Sequence, residues 1–158
     1  MKKNKVLFLS STGGHLSELM SLSPIFEKYD YHIITEKTKT TLSLANKHEN
    51  RVSYVMHGTK DNIIPYLIKK PINILKTFYL IIKINPKIIV TTGAHTGVPA
   101  CYIGKLFRKK VIFIETFANS RSKTLSGRLV YPIADVFVVQ WESMLELYPK
   151  AEHWGWIY

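Results

Sequence analysis

Three short polar runs, each directly after an apolar one, hold the side chains best suited to chemistry. They are Ser10-Ser11-Thr12-Gly13-Gly14-His15, Thr91-Thr92-Gly93-Ala94-His95-Thr96-Gly97 and Glu115-Thr116-Phe117-Ala118-Asn119-Ser120. Gly13 and Gly14 let backbone approach a ligand closely, and a helix after them would offer the positive end of its dipole to an anion such as a diphosphate. A tight strand-to-helix turn would use the same two glycines. Their spacing is that of neither a dinucleotide fingerprint nor a P-loop, so NAD and ATP are not indicated. His15 falls in the first helical turn, where the dipole disfavours imidazolium and leaves a neutral ring able to accept a proton. It serves equally as a capping group, as does Glu18 three residues on. Glu115 ends an apolar strand, so its carboxylate is expected at the ligand edge, binding sugar hydroxyls, acting as a base, or pairing with Arg121 or Lys123. His95 carries the same alternatives.

Ordinary α/β elements would place these runs together. KVLFLS (5–10), YHIIT (31–35), RVSYVM (51–56), KIIVTTG (87–93), VIFIE (111–115) and DVFVVQW (135–141) read as strands, short and apolar as in a sheet covered on both faces. Between them, LSELMSLSPIFEKY, TLSLANKH, residues 63–85, 100–107 and 122–134 read as helices, the third broken or kinked at Pro71. The expected fold is therefore α/β, a doubly wound, Rossmann-like parallel sheet of six strands in a single domain over residues 1–158. In such a sheet, ligands bind beyond the carboxyl ends of the strands, where all three polar runs fall.

The composition narrows the function. With 46% hydrophobic and 21% charged residues, the chain is that of a compact domain rather than a disordered tail. Its single cysteine, Cys101, allows no internal disulfide and no structural zinc site, and neither metal nor cofactor is expected. The net charge of +11 points to an anionic partner: nucleic acid, a phospholipid surface or a diphosphate substrate. The lysines are dispersed over many elements, which argues against nucleic acid. Lys69, Lys70, Lys76 and Lys83 interrupt the only long apolar stretch, so no spanning helix is expected. In that stretch Ile68, Ile72, Leu75, Phe78, Tyr79 and Ile82 recur at helical spacing beside Lys69, Lys76 and Lys83. The pattern suits either a core-facing helix with a solvated edge or a helix lying on an anionic bilayer.

The motifs STGGHL, VTTGAHTGVP and IETFANS, in this order, resemble the N-terminal half of GT-B glycosyltransferases of the MurG family, which makes lipid II. Through GGHLSE, TTGAHTGVP and LSGRLVYPIADVFVVQWE the chain is closer to bacterial capsule and exopolysaccharide proteins that resemble the membrane-anchor subunit of the dolichol-pathway N-acetylglucosaminyltransferase. The resemblance implies a split enzyme. This chain would bind a polyprenyl-diphosphate-linked saccharide, and a separate GT-B C-terminal-type subunit would bring the UDP-sugar, galactose or N-acetylglucosamine.

It further implies that His15 and Glu115 are catalytic, and that Ser11, Thr12, Gly13, Gly14, Gly93, His95, Thr96 and Asn119 contact acceptor and diphosphate. Ile68, Lys69, Ile72, Leu75, Lys76, Phe78 and Tyr79 would form a membrane patch, holding the protein peripherally on the cytoplasmic face of the bacterial plasma membrane. A tail over 149–158, with Trp154, Trp156 and Tyr158, would dock the partner. Phe117 and Ala94-His95 depart from the asparagine and Gly-Tyr of the one-chain family.

Overall fold

The computed structural model describes residues 3–58, 63–94 and 96–157, and the side chains of the long helix from Ile68 onward. His95 and Tyr158, and most of the turn before that helix, lie outside the described residues.

The sheet has seven parallel strands in the order β3-β2-β1-β4-β5-β6-β7. β1 (Lys5–Leu9), β2 (Asp30–Lys37), β3 (Val52–Met56), β4 (Ile88–Thr91), β5 (Lys110–Ile114) and β6 (Val136–Val139) match the expected six. The seventh, β7 (Glu152–His153), pairs with Val138 and Val139. Two polar residues give no strand pattern, so this strand was not legible in the tail. Alternate β1 residues feed the two faces of the sheet: Val6 and Phe8 pack with Leu19, Phe26 and Ile33, while Leu7 and Leu9 pack with Leu80, Ile81 and Ile103. Burial on both faces explains the continuous apolar runs.

Among the described residues six α-helices cover the sheet: α1 (Gly14–Ser21), α2 (Ser23–Phe26), α3 (Ser43–His48), α4 (Ile63–Ile84), α5 (Gly97–Leu106) and α6 (Leu125–Val130). The expected single helix over 16–29 is two, with Pro24 in the first turn of the second. Of the break or kink expected at Pro71, the break does not occur: α4 runs unbroken for 22 residues. Pro71 lies on the exposed side of the helix. Asn73 fastens α4 to the sheet, its side chain accepting from Met56 N at 2.8 Å and donating to Met56 O at 2.7 Å.

The order in which strands are added to the sheet reverses between β1 and β4. β1 lies against β2 on one side and β4 on the other, with Leu9 level with both Ile34 and Thr91. The loops after β1 and β4 therefore leave the sheet side by side at the switch point, where a doubly wound fold presents its crevice.

Candidate functional site

At that switch point the first two polar runs meet. Gly13 takes φ +79°, a left-handed conformation that glycine adopts without strain, and the exposed Gly13-Gly14 step starts α1. His15 then projects from the first turn toward the β4 loop. Its Nδ1 lies 3.0 Å from Thr92 O, and Thr92 Oγ1 donates to His15 O at 2.7 Å. A carbonyl can only accept, so the neutral ring carries its hydrogen on Nδ1 and presents Nε2 as an acceptor. The Gly93 backbone, at φ +99°, turns the chain away so closely over Phe113 that a Cβ there would sit 3.2 Å from the ring.

Glu18, one helical turn after His15, is the residue that gives this ring its electrostatics. Its carboxylate is 2% exposed and stands 3.7 Å from His15 Nδ1, while its other oxygen accepts from Thr116 Oγ1 at 2.8 Å and Phe117 N at 2.7 Å. The carboxylate raises the His15 pKa above its ordinary 6.5, with burial opposing it. The dipole argument for a depressed pKa is thus overturned by a closer charge. Glu18 does not cap its own helix; it crosses to the β5 loop and ties the first and third polar runs.

Glu115 is placed differently from the expectation of a carboxylate emerging at the sheet edge. It is 2% exposed and turned beneath α6, where Thr124 Oγ1 and Tyr148 OH donate to it at 2.9 Å and Thr116 N at 3.0 Å. Its partners are hydroxyls and an amide rather than Arg121 or Lys123. Burial raises its pKa, opposed by these hydrogen bonds. The close approach of α6 depends on Gly127, where an added Cβ would lie 2.1 Å from Glu115 Oε2 and 2.4 Å from Tyr148 OH.

The remaining expected residues divide among neighbouring places. Thr12 Oγ1 reaches Glu36 Oε2 at 3.2 Å, and that same oxygen lies 2.6 Å from His57 Nδ1. This carboxylate–imidazole pair lies where β2 and β3 end; the sequence offers Glu36 by itself, as the one acidic candidate for a ribose contact, and gives no sign of its partner His57. Thr96 is buried and faces a cavity of about 30 Å³ shared with Glu36, Lys69, Lys70 and Asn73. Ser11 is buried beneath the glycine loop. Asn119 shapes the β5 loop, its N donating to Thr116 O at 3.3 Å and its Oδ1 accepting from Ser122 Oγ at 3.0 Å.

Beyond His15 a larger groove of about 530 Å³ runs between α4, α5 and α6, lined by residues including Lys70, Pro99, Tyr102, Leu125 and Leu129. On the outer side of α4, Ile68, Ile72, Leu75, Phe78 and Tyr79 are exposed, as the amphipathic pattern required of a surface patch, and Lys76 lies beside them in solvent. Lys69 is not part of a free lysine stripe: its Nζ donates to His57 O at 3.2 Å. Among the described residues no helix is long and apolar enough to cross a membrane.

The tail is folded against the sheet. Ile157 N donates to Gln140 Oε1 at 3.2 Å, and the Trp156 ring meets those of Trp141 and Phe117 at 5.2 and 5.5 Å. Trp154 and Trp156 both remain well exposed.

With the geometry in place, comparison with known proteins is informative. The family model described as "Oligosaccharide biosynthesis protein Alg14 like" matches residues 5–157. The UDP-N-acetylglucosamine transferase subunit ALG14 of Candida albicans is 30% identical, over 98% of this chain and 81% of the relative. Its Rattus norvegicus counterpart is 27% identical, over 95% and 81%. Among solved structures, Acinetobacter baumannii MurG superposes with a TM-score of 0.70 at 12% identity, over 89% of this chain and 42% of that one. Methanocaldococcus jannaschii UDP-GlcNAc 2-epimerase, in complex with UDP-GlcNAc and UDP, gives 0.70 at 14%, over 94% and 46%. These two likenesses show the fold, which spans less than half of either structure.

Proposed function

Because this chain belongs to the Alg14-like family of oligosaccharide biosynthesis proteins, we propose that it is the acceptor-binding, membrane-recruiting half of a two-part glycosyltransferase. The acceptor is a saccharide on a polyprenyl diphosphate. A separate subunit of GT-B C-terminal type supplies the UDP-sugar, for which N-acetylglucosamine, named in the relatives, leads galactose. The setting is capsular or exopolysaccharide synthesis at the cytoplasmic face of a bacterial plasma membrane.

The observation that carries this reading is His15 at the sheet's switch point, held by Thr92 and Glu18 and standing at the head of an apolar groove. In this mechanism Nε2 of the neutral ring takes the proton from the acceptor hydroxyl as that oxygen attacks the anomeric carbon and UDP departs with the bond electrons. Glu18 stabilises the imidazolium that forms. The exposed Gly13-Gly14 step and the α1 dipole hold the acceptor diphosphate, with Thr12, Ser11, Gly93 and Thr96 shaping the walls. His95, outside the described residues, is assigned an acceptor contact on the resemblance alone. Glu115 acts indirectly, holding the β5 loop and Asn119 in place through Thr116 and Thr124. The patch around Leu75 and Lys76 rests on anionic lipid, and the exposed Trp154 and Trp156, with Tyr158, meet the donor subunit.

The test is sugar transfer from a UDP-sugar to a polyprenyl-diphosphate-linked saccharide, with and without the co-purified donor subunit. Transfer is expected only with both chains. Full activity of this chain alone would refute the division of labour.

A further inference from the structure

The groove beside His15 has two chemically different ends. At the inner end stand His15 and the exposed Lys70, an acid–base group and a cation. At the outer end Leu125 is 71% exposed and Tyr102 and Leu129 are 47% and 42% exposed, well beyond what large apolar side chains on a monomer's surface require. Tyr102 OH donates to Leu129 O at 2.9 Å, which joins α5 to α6 and engages the tyrosine hydroxyl, leaving Ser126 the other hydroxyl on that wall. The volume, about 530 Å³, lies within the roughly 300–1,000 Å³ usual for a small-molecule site.

We infer that this groove between α4, α5 and α6 holds the first isoprene units of the lipid acceptor's hydrocarbon tail, with the diphosphate, held at the Gly13-Gly14 step, facing Lys70 and the saccharide at His15. The inference rests on the acceptor-binding reading above and adds a site for the tail. An anionic head on a long hydrocarbon matches the sequence of surfaces from Lys70 outward. A peptide strand would not: its backbone amides and carbonyls would be buried against Pro99, Tyr102, Leu125 and Leu129 with few polar partners, at a cost in free energy for each group left unpaired. α4 carries the exposed apolar row and also, through Lys70, one wall of the groove, so a bilayer resting on that row lies one helix away from the groove.

The experiment uses a polyprenyl phosphate that carries a photoreactive diazirine on its first isoprene unit and no sugar, offered to the full chain in detergent micelles. Labelling is expected in peptides spanning 97–106 and 125–130. Leu125→Asp with Leu129→Asp should reduce it at least about tenfold, whereas Leu42→Asp, at an exposed position before α3, should leave it unchanged. Both leucines are exposed, so the fold is expected to survive; Leu125→Asp alone, at the more exposed position, serves if the pair does not fold. Labelling confined to the outer row of α4, or undiminished in the folded variant, overturns the inference. If the groove is labelled while the two-chain transfer assay is silent, the lipid site stands and the transferase reading falls. If sugar is transferred but the groove stays unlabelled, the reverse holds.

Discussion

His15 and Thr92, 77 positions apart in the chain, are joined by two hydrogen bonds that run in opposite senses, ring nitrogen to carbonyl and hydroxyl to carbonyl. The pairing follows from sheet register: Leu9 lies level with Thr91, so the loops that leave β1 and β4 are neighbours from their first residue. One bond fixes the tautomer and the other fixes the turn that carries the ring. A base for an acceptor hydroxyl needs both, because its free nitrogen must point at one place.

Removal of the imidazole in His15→Ala is expected to slow sugar transfer by about 10²- to 10⁴-fold, measured with the donor subunit present.

Glu18 sets the pH at which that imidazole works. It raises the His15 pKa above 6.5, so the fraction of neutral ring, and with it the transfer rate, should climb with pH through that raised value. Glu18→Gln removes the charge and should move both the imidazole titration seen by NMR and the acid limb of the rate profile to lower pH. The stability consequence has its own sign. A raised histidine pKa stabilises the folded state fully below 6.5, and that contribution is lost as pH rises through the folded value. Glu18→Gln should therefore cost stability chiefly on the acid side. An unshifted titration would exclude Glu18 as the source of the effect.

Gly127 is a packing constraint that Glu115 imposes on α6. Gly127→Ala would place a methyl carbon 2.1 Å from Glu115 Oε2, so helix and carboxylate must separate. Overpacking of this kind costs about 1–3 kcal/mol. For a chain of this size each kcal/mol lowers Tm by roughly 2–4 °C, and chemical denaturation of the purified variant checks it. Glu115→Gln keeps the shape of the network, and its activity should fall far less than that of His15→Ala. An equal loss in the two variants would return Glu115 to direct chemistry.

Much of this architecture could be read from the residues, and the omissions have physical causes. β1, β4, β5 and β6 announce themselves because burial on both faces forces nearly unbroken apolar runs; β7 consists of Glu152 and His153, which pair by backbone alone. Pro71 suggested a break or kink in α4, yet the helix continues through it with the proline exposed. At the site, the glycine loops and His15 were legible as local chemistry. What was not legible is pairing across the sheet: Glu18 with Phe117, Glu36 with His57, and Glu115 with Tyr148. Each joins residues from different elements, and a linear pattern carries no sign of which side chain turns inward.

Cys101 illustrates how far burial alone governs reactivity. It lies in α5 against Val111, Phe113 and Val130, fully buried, and burial pushes its thiol up to about 12. Thiolate is the reactive form, so the native protein should resist alkylation at pH 8 and react only after denaturation. Prompt labelling of the folded protein would show that α5 opens away from the sheet.

The outer face of α4 allows hydrophobic and electrostatic contributions to membrane binding to be separated. Leu75 is 69% exposed and Lys76 lies beside it in solvent, so neither supports the core and both can be changed without unfolding the helix. Leu75→Asp removes apolar area and adds a charge that lipid tails repel; vesicle sedimentation should fall sharply whatever the headgroup. Lys76→Glu changes only the Coulombic part, worth about 1 kcal/mol per lysine near an anionic surface, and reverses its sign. It should weaken binding to phosphatidylserine-rich vesicles by roughly tenfold or more and leave the small affinity for neutral vesicles unchanged. Raising the salt concentration should reproduce the Lys76→Glu effect in the unmodified protein and add little to it in the variant. If Leu75→Asp bound both kinds of vesicle as the unmodified protein does, α4 would not be the surface that meets the membrane, and the exposed row would need another partner.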